Sequence, residues 1–303
     1  VSQSVQTIRE ALSYGLLSFP ITDFDGSGQF CPDTYRERVE SFVQNGVTAI
    51  FVAGGTGEFF SLSVDEYRQV VQIAVDTVAG RIPVFSSAGQ SIPLAREYCR
   101  VAEAAGVDGI LLMPPYLTEC PGDGLYEYAR QIISSTSLQV VYYNRGNGVM
   151  GTQALVALAE ECPNLVGLKD GVGNIAALND TIKTIGDRLV YIGGVPTAEI
   201  FAEAYLAIGV STYSSAVFNF MPEMALSFYR ALREGDQETV GAIIRNFFIP
   251  FCRLRDKKSG YAVSLIKAGA ELTGRPAGSV RAPLVDPSSE HKSMLADLIR
   301  ANS

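Results

Sequence analysis

The 303-residue chain contains no tryptophan and one histidine, His291, in a polar stretch near its C-terminus. A single imidazole argues against histidine-based triads and His-rich metal sites, which leaves lysine, tyrosine, hydroxyls and carboxylates to carry any chemistry. The cysteines, Cys31, Cys99, Cys120, Cys162 and Cys252, are odd in number, widely spaced and free of any C-x-x-C pair. That pattern indicates neither a disulfide framework nor a zinc site, and it fits a reducing cytoplasm. No basic segment followed by an apolar core opens the chain and no apolar run approaches the length of a membrane span, so neither secretion signal nor anchor is expected. Positive charge is also scarce: the formal net charge is -8, with a pI near 4.9. No lysine or arginine cluster interrupts that balance beyond residues 253–258, so nucleic acid and membrane are not expected partners. The 253–258 stretch reads as the solvated start of a helix.

What remains is an ordinary globular composition, 47% hydrophobic and 18% charged, long enough for one large domain or two modest ones. Short β-branched or apolar runs alternate with amphipathic segments through residue 233. Eight strands are predicted, at 15–19, 47–53, 82–87, 109–113, 139–143, 165–168, 189–193 and 209–213. Pro32-Asp33 opens one intervening helix, Ser63-Val64-Asp65-Glu66 is a capping-box-like start to the next, and Ser91-Ile92-Pro93 precedes a third. Eight crossovers in roughly 230 residues match the rhythm of an α/β fold of the (β/α)8 TIM barrel type. A doubly wound sheet would place a G-x-G-x-x-G fingerprint after an early strand, and none occurs there. Beyond Arg233 the rhythm becomes helical, at 236–248, 256–272 and 289–301, with Pro250, Gly274, Pro276, Pro283 and Pro287 as breaks. The expected organisation is therefore a catalytic barrel over 1–233 and a C-terminal helical extension over 234–303.

In such a barrel the chemistry belongs at the C-terminal strand ends. Lys169 ends the apolar run Asn164-Leu165-Val166-Gly167-Leu168, just before the polar turn Asp170-Gly171-Val172-Gly173-Asn174. A buried amine there would be destabilised as a cation and become a nucleophile towards a carbonyl. On that segment alone, a lysine that simply ends its strand in water is the more ordinary outcome. The loop Ala53-Gly54-Gly55-Thr56-Gly57-Glu58 would let backbone amides approach an anion, a carboxylate rather than a phosphate, since it lacks the Lys-Ser/Thr ending of a P-loop. A tight turn chosen only for its backbone angles is the competing reading. Of Tyr142 and Tyr143, at the end of the preceding strand, only one can face the barrel mouth, where its phenol could shuttle protons for an adduct on the lysine.

The loop 54–58, Tyr143-Asn144, Gly167-Leu168-Lys169-Asp170, Tyr191-Ile192-Gly193-Gly194 and the segment 275–284 together resemble the dihydrodipicolinate synthase / N-acetylneuraminate lyase family, nearly end to end and in order. The resemblance implies that Lys169 forms an imine with a 2-oxo acid, that Tyr143 shuttles protons, and that Thr56 with the amides of Gly55 and Thr56 holds the 1-carboxylate. It implies a homotetramer, often a dimer of dimers, and no metal, nicotinamide or pyridoxal cofactor. Three departures count against the synthase reaction. Gly55 stands where those synthases have a relay threonine, Leu117 where a tyrosine is lent to the neighbouring subunit, and Gly148 where an arginine binds the second substrate's carboxylate. In their place stand Arg145 and Asn147 after the fifth strand, Gly194 after the seventh, and Ser214, Ser215 and Asn219 after the eighth. Within the family this combination points to a small-molecule substrate that is a 2-oxo sugar diacid, dehydrated with loss of carbon dioxide. A class I aldolase for another 2-oxo sugar acid, or a catalytically silent sugar-acid binder, are the alternatives.

Overall fold

The computed structural model describes residues 3–116 and 119–303, so Leu117 lies outside the described residues. Eight parallel strands close into a barrel in sequence order: β1 (Leu17–Ser18), β2 (Ala49–Phe51), β3 (Val84–Gln90), β4 (Gly109–Pro115), β5 (Gln139–Asn144), β6 (Leu165–Asp170), β7 (Val190–Gly193) and β8 (Thr212–Ser215). β1 pairs with both β2 and β8, which completes the ring. All eight predicted strands are present. The last is displaced, beginning at Thr212 where 209–213 was expected, because Gly209 with φ 99° still belongs to the turn that ends the preceding helix.

Helix α1 (Val5–Ser13) precedes the barrel and was not anticipated from the sequence. Ile8 and Leu12, its two buried residues, join the cluster inside the barrel and stop its N-terminal end. The outer ring follows: α2 (Pro32–Gln44), α3 (Val64–Val78), α4 (Ile92–Ala105), α5 (Gly122–Ile133), α6 (Thr152–Glu161), α7 (Ile175–Ile185), α8 (Ala202–Ala207) and α9 (Pro222–Glu234). Their starts obey local chemistry. Pro32 opens α2, the Ser63 and Glu66 side chains cap α3 reciprocally, and the Ser91 hydroxyl caps α4. No helix among the described residues is long and apolar enough to cross a membrane.

The barrel interior is a separate apolar cluster built from Leu17, Phe19, Phe51, Phe85, Leu111, Val141, Val166, Val190 and Ile192. Phe19, Phe51 and Phe85 stack in series with centroids 4.9 and 4.8 Å apart. Large rings on one side require small residues opposite: a Cβ at Gly109 would meet the Phe85 ring and lie 2.5 Å from the Gln139 carbonyl.

After α9 come α10 (Gln237–Ile243), α11 (Ile249–Arg255), α12 (Tyr261–Leu272) and α13 (Ser289–Arg300). Pro250 does not break this run. A π-helical turn at Ile244–Phe248 precedes it, and that wider turn gives the proline ring room where an α-helical carbonyl would clash. The basic stretch at 253–258 closes α11 and does not begin the next helix; Arg253 and Arg255 complement the negative end of α11.

The segment at 275–284 lies against the segments after β1 and β2 and clamps the glycine loop. Glu58 is fully buried, 2.7 Å from the Nζ of buried Lys267 on α12, and accepts the Arg281 amide at 2.8 Å. The Arg281 guanidinium donates to the Gly28 and Ser61 carbonyls and pairs with Glu66 of the α3 cap. A second buried pair, Asp23–Arg38 at 2.6 Å, donates onward to the Arg275 carbonyl. Removing one member of a buried pair strands the other charge at a cost of about 3–5 kcal/mol. Lys267→Met should therefore lower the unfolding free energy by that order in urea titrations, whereas surface Arg68→Met, which breaks an exposed pair with Asp65, should change it by less than about 1 kcal/mol.

Candidate active site

The placement of Lys169 rests on an irregularity in β6. Leu165 pairs with Val140 but Gly167 pairs with Val141, so Val166 is one residue extra on β6. Strict alternation would send Val166 and Lys169 to opposite faces. The bulge lets Val166 join the inner cluster while Lys169, in register with Tyr143 on β5 and Ile192 on β7, still points into the mouth. Tyr142 faces outward and donates to the Gly148 carbonyl at 2.7 Å, so the choice between the two tyrosines falls to Tyr143.

Lys169 is 4% exposed, with Nζ 4.1 Å from the centre of the Tyr143 ring and 5.1 Å from that of Phe19. Its Nζ donates to the Gly194 carbonyl at 3.3 Å, and the Tyr143 phenol donates to the same oxygen at 2.8 Å. Arg145 donates through one terminal nitrogen to the Tyr143 oxygen at 2.9 Å. Burial pushes the Lys169 amine below the ordinary lysine value, against the opposing pull of Tyr143 and aided by the Arg145 charge. Burial alone would raise the Tyr143 phenol, but the Lys169 and Arg145 charges outweigh it and the net direction is down. Gly194 holds the group together by having no side chain: a Cβ there would collide with Lys169 Nζ and lie 2.6 Å from its Cγ.

These residues line one cavity of about 430 Å³ at the C-terminal mouth, shared with Gly55, Thr56, Gly146, Thr197, Glu199, Ser214 and Arg255. Among the described residues, neither the Gly55 nor the Thr56 amide donates to a backbone carbonyl, so both remain available to an anion. A Cβ at Gly55 would meet nothing within 4 Å, so the missing threonine side chain is open volume. Gly148 cannot receive a long side chain without moving Pro114, which a Cβ would approach to 3.0 Å.

Of the sequence-predicted residues, Lys169, Tyr143, Gly55, Thr56, Arg145, Gly194 and Ser214 converge on this cavity. Asn147, Ser215 and Asn219 are not in its wall. Asn147 donates to the Pro115 carbonyl at 3.0 Å, fixing the loop after β5. Asn219 is buried and ties the chain after β1, accepting from the Ile21 amide and donating to the Phe19 carbonyl. Ser215 is fully buried and donates to Glu199 at 2.6 Å.

Glu199 and Arg255 escaped sequence reading. Glu199 is 1% exposed and its Oε2 has no partner among the described residues; burial raises its carboxyl to about 7. In the sequence, Pro196-Thr197-Ala198-Glu199 offers no cue to its burial beyond the apolar residues flanking it, Ala198 and Ile200. Arg255 reaches back from α11 to donate to the Pro196 carbonyl at 2.9 Å and the Thr197 hydroxyl at 2.7 Å.

Comparison with known proteins adds three findings. The family model described as "Dihydrodipicolinate synthetase family" matches residues 12–302. Among curated relatives, "Probable 5-dehydro-4-deoxyglucarate dehydratase" of Rhodococcus opacus (strain B4) is 49% identical over 300 residues, 99% of each chain. The "5-dehydro-4-deoxyglucarate dehydratase" of Pseudomonas putida is 47% identical over 295 residues, 97% of each. Among solved structures, dihydrodipicolinate synthase from Bacillus clausii superposes with a TM-score of 0.89 at 30% identity, covering 97% of this chain and 98% of that one.

The raised Glu199 carboxyl has a signed consequence for stability. A folded-state value of about 7 against an ordinary value of 4.5 means the native state holds this proton more tightly than the unfolded chain. Stability should therefore be lost as pH rises from about 4.5 to 7, by on the order of 3 kcal/mol, and stay lost above that. Glu199→Gln keeps the acceptor for Ser215 and removes the titration. Its thermal midpoint should exceed that of the native protein at pH 8 and match it near pH 4.5; a parallel pH dependence in both proteins would contradict this.

Proposed function

The chain belongs to the dihydrodipicolinate synthetase family, and on that premise we propose that it is a 5-dehydro-4-deoxyglucarate dehydratase, a decarboxylating hydro-lyase of sugar-diacid breakdown. It converts 5-dehydro-4-deoxy-D-glucarate to 2,5-dioxopentanoate, water and carbon dioxide. The observation that carries the imine route is the buried Lys169 amine sharing the Gly194 carbonyl with the Tyr143 phenol.

Numbering from the keto end, the 1-carboxylate docks on the free Gly55 and Thr56 amides and the Thr56 hydroxyl. The neutral Lys169 amine attacks the C2 ketone, and Tyr143 passes protons as the carbinolamine loses water to give an iminium. The iminium acidifies C3. Tyr143, its phenolate favoured by Arg145, takes a C3 proton and returns it to the C4 hydroxyl as the enamine expels water. The conjugated iminium then draws the electrons of the C5–C6 bond towards nitrogen, and the distal carboxylate leaves as carbon dioxide. Protonation and hydrolysis release the semialdehyde and free Lys169. The open volume at Gly55 suits a substrate bulkier than pyruvate. In this reading the 1–233 barrel is the catalytic unit, the 234–303 helices cover its mouth, and the enzyme works in the cytoplasm as a homotetramer, a dimer of dimers.

Incubation with 5-dehydro-4-deoxyglucarate should release carbon dioxide and a semialdehyde in equal amounts; pyruvate as the product would replace this reading with an aldolase. Lys169→Ala should abolish both turnover and borohydride trapping of a 2-oxo acid, and retained turnover would remove the imine from the mechanism. Tyr143→Phe should slow imine formation on the order of 10²-fold or more, the scale of a positioned acid–base group; a near-native rate in rapid-quench trapping would reassign the shuttle.

A further inference from the structure

The distal carboxylate of a diacid needs a partner, and the cations of the cavity can be taken in turn. Lys169, Arg145 and Arg255 are the lysines and arginines in its wall among the described residues. Lys169 is consumed in the imine. Arg145 has one terminal nitrogen on the Tyr143 oxygen and its other two nitrogens uncommitted among the described residues, which places its charge beside the proton shuttle at the reacting end. Arg255 is held instead on the loop after β7. Its Nε donates to Asp256 at 2.8 Å and one terminal nitrogen to Pro196 and Thr197, while its other terminal nitrogen has no partner among the described residues. The guanidinium is thus fixed at two of its three nitrogens and presents the third.

Its position suits the length of the substrate. Lys169 Nζ touches the carbonyl of Gly194 and Arg255 touches the carbonyl of Pro196, two residues further along one chain segment. Two residues span at most roughly 7 Å. Four C–C bonds of about 1.5 Å each separate C2 from C6 in a six-carbon diacid, a contour of roughly 6 Å. A chain that begins as an imine on Lys169 and runs along this segment has a length on the scale of the span between the two carbonyls.

Resting on the imine reading above, the geometry points to Arg255, a residue of the appended helix α11, as the specificity determinant that binds the distal carboxylate of the 2-oxo diacid. Contact through one free nitrogen, with Asp256 already sharing the charge, is a weaker hold than a two-pronged arginine clamp. That suits a carboxylate that must be bound and then lost, because carbon dioxide carries no charge and the hold ends as the C5–C6 bond breaks.

The test uses two six-carbon probes, 2-oxoadipate and 2-oxohexanoate, which differ in the distal carboxylate and undergo no dehydration. Borohydride trapping at Lys169 should be half-maximal at a concentration about 10–100-fold lower for 2-oxoadipate than for 2-oxohexanoate, the scale of a hydrogen bond to a charged group. Arg255→Gln, which can still donate to Pro196 or Thr197, should erase that preference while trapping of 2-oxohexanoate stays within about twofold of the native protein. Arg255→Lys should retain part of the preference, and its trapping of 2-oxohexanoate reports a folded site. No preference in the native protein, or an undiminished preference in a Gln variant that still traps 2-oxohexanoate, would overturn the assignment. A native protein that shows the preference yet releases no carbon dioxide from 5-dehydro-4-deoxyglucarate would leave Arg255 in place and refute the proposed reaction alone.

Discussion

Withdrawal of the Lys169 amine from water is the constraint around which the barrel mouth is arranged. An ammonium in that position gains a carbonyl at 3.3 Å, two aromatic faces and the pull of Tyr143 and Asp170, which together do not replace its hydration, so the amine gives up its proton more readily than an ordinary lysine. Each neighbour follows from this. The bulge at Val166 turns the side chain inward, Gly194 leaves space for its tip, and Arg145 adds a charge that disfavours protonation of the amine while stabilising a phenolate on Tyr143. Any change that admits water to this pocket would move the amine back toward the ordinary lysine value, even with Lys169 intact.

The barrel was legible because its signals are local and periodic. Apolar strands and amphipathic helices alternate eight times, and an error in one does not disturb the count. The convergence of Lys169, Tyr143 and Thr56 on the cavity was legible for a related reason: they sit at strand ends or in the loops that follow, where position in the fold already implies the mouth. What failed depends on contacts distant in sequence. α1 is a short amphipathic helix whose value lies in plugging a barrel that does not exist until eight strands have formed. Ser215 and Asn219 have the hydroxyl and amide of ligand-binding residues, but neighbours at 199 and 19–21 engage them as structural ties. Arg255 looked solvated because a basic cluster usually is, and nothing near it in sequence reveals the Pro196 carbonyl it reaches.

An acidic chain that takes a doubly charged anion must concentrate its positive charge at the site. The net charge of -8 repels the substrate at long range, so recognition depends on screened, short-range contacts at the mouth. Two free amides at one end of the cavity and a few cationic nitrogens along it supply them, while Glu199, its carboxyl raised to about 7 by burial, carries only part of its negative charge at neutral pH.

The clamp on the glycine loop reaches beyond stability. Glu58 receives the Arg281 amide across 223 residues of sequence, and its ion-pair partner Lys267 lies on α12. Contacts between segments so far apart carry a large loop-closure cost and form late. A growing polypeptide that has already closed its eight-stranded ring would still lack the groups that set the carboxylate loop. The loop of Gly55 and Thr56 is therefore set only once residues 267 and 281 have been made, later than the barrel that houses it, so a closed ring of strands is not yet an organised mouth.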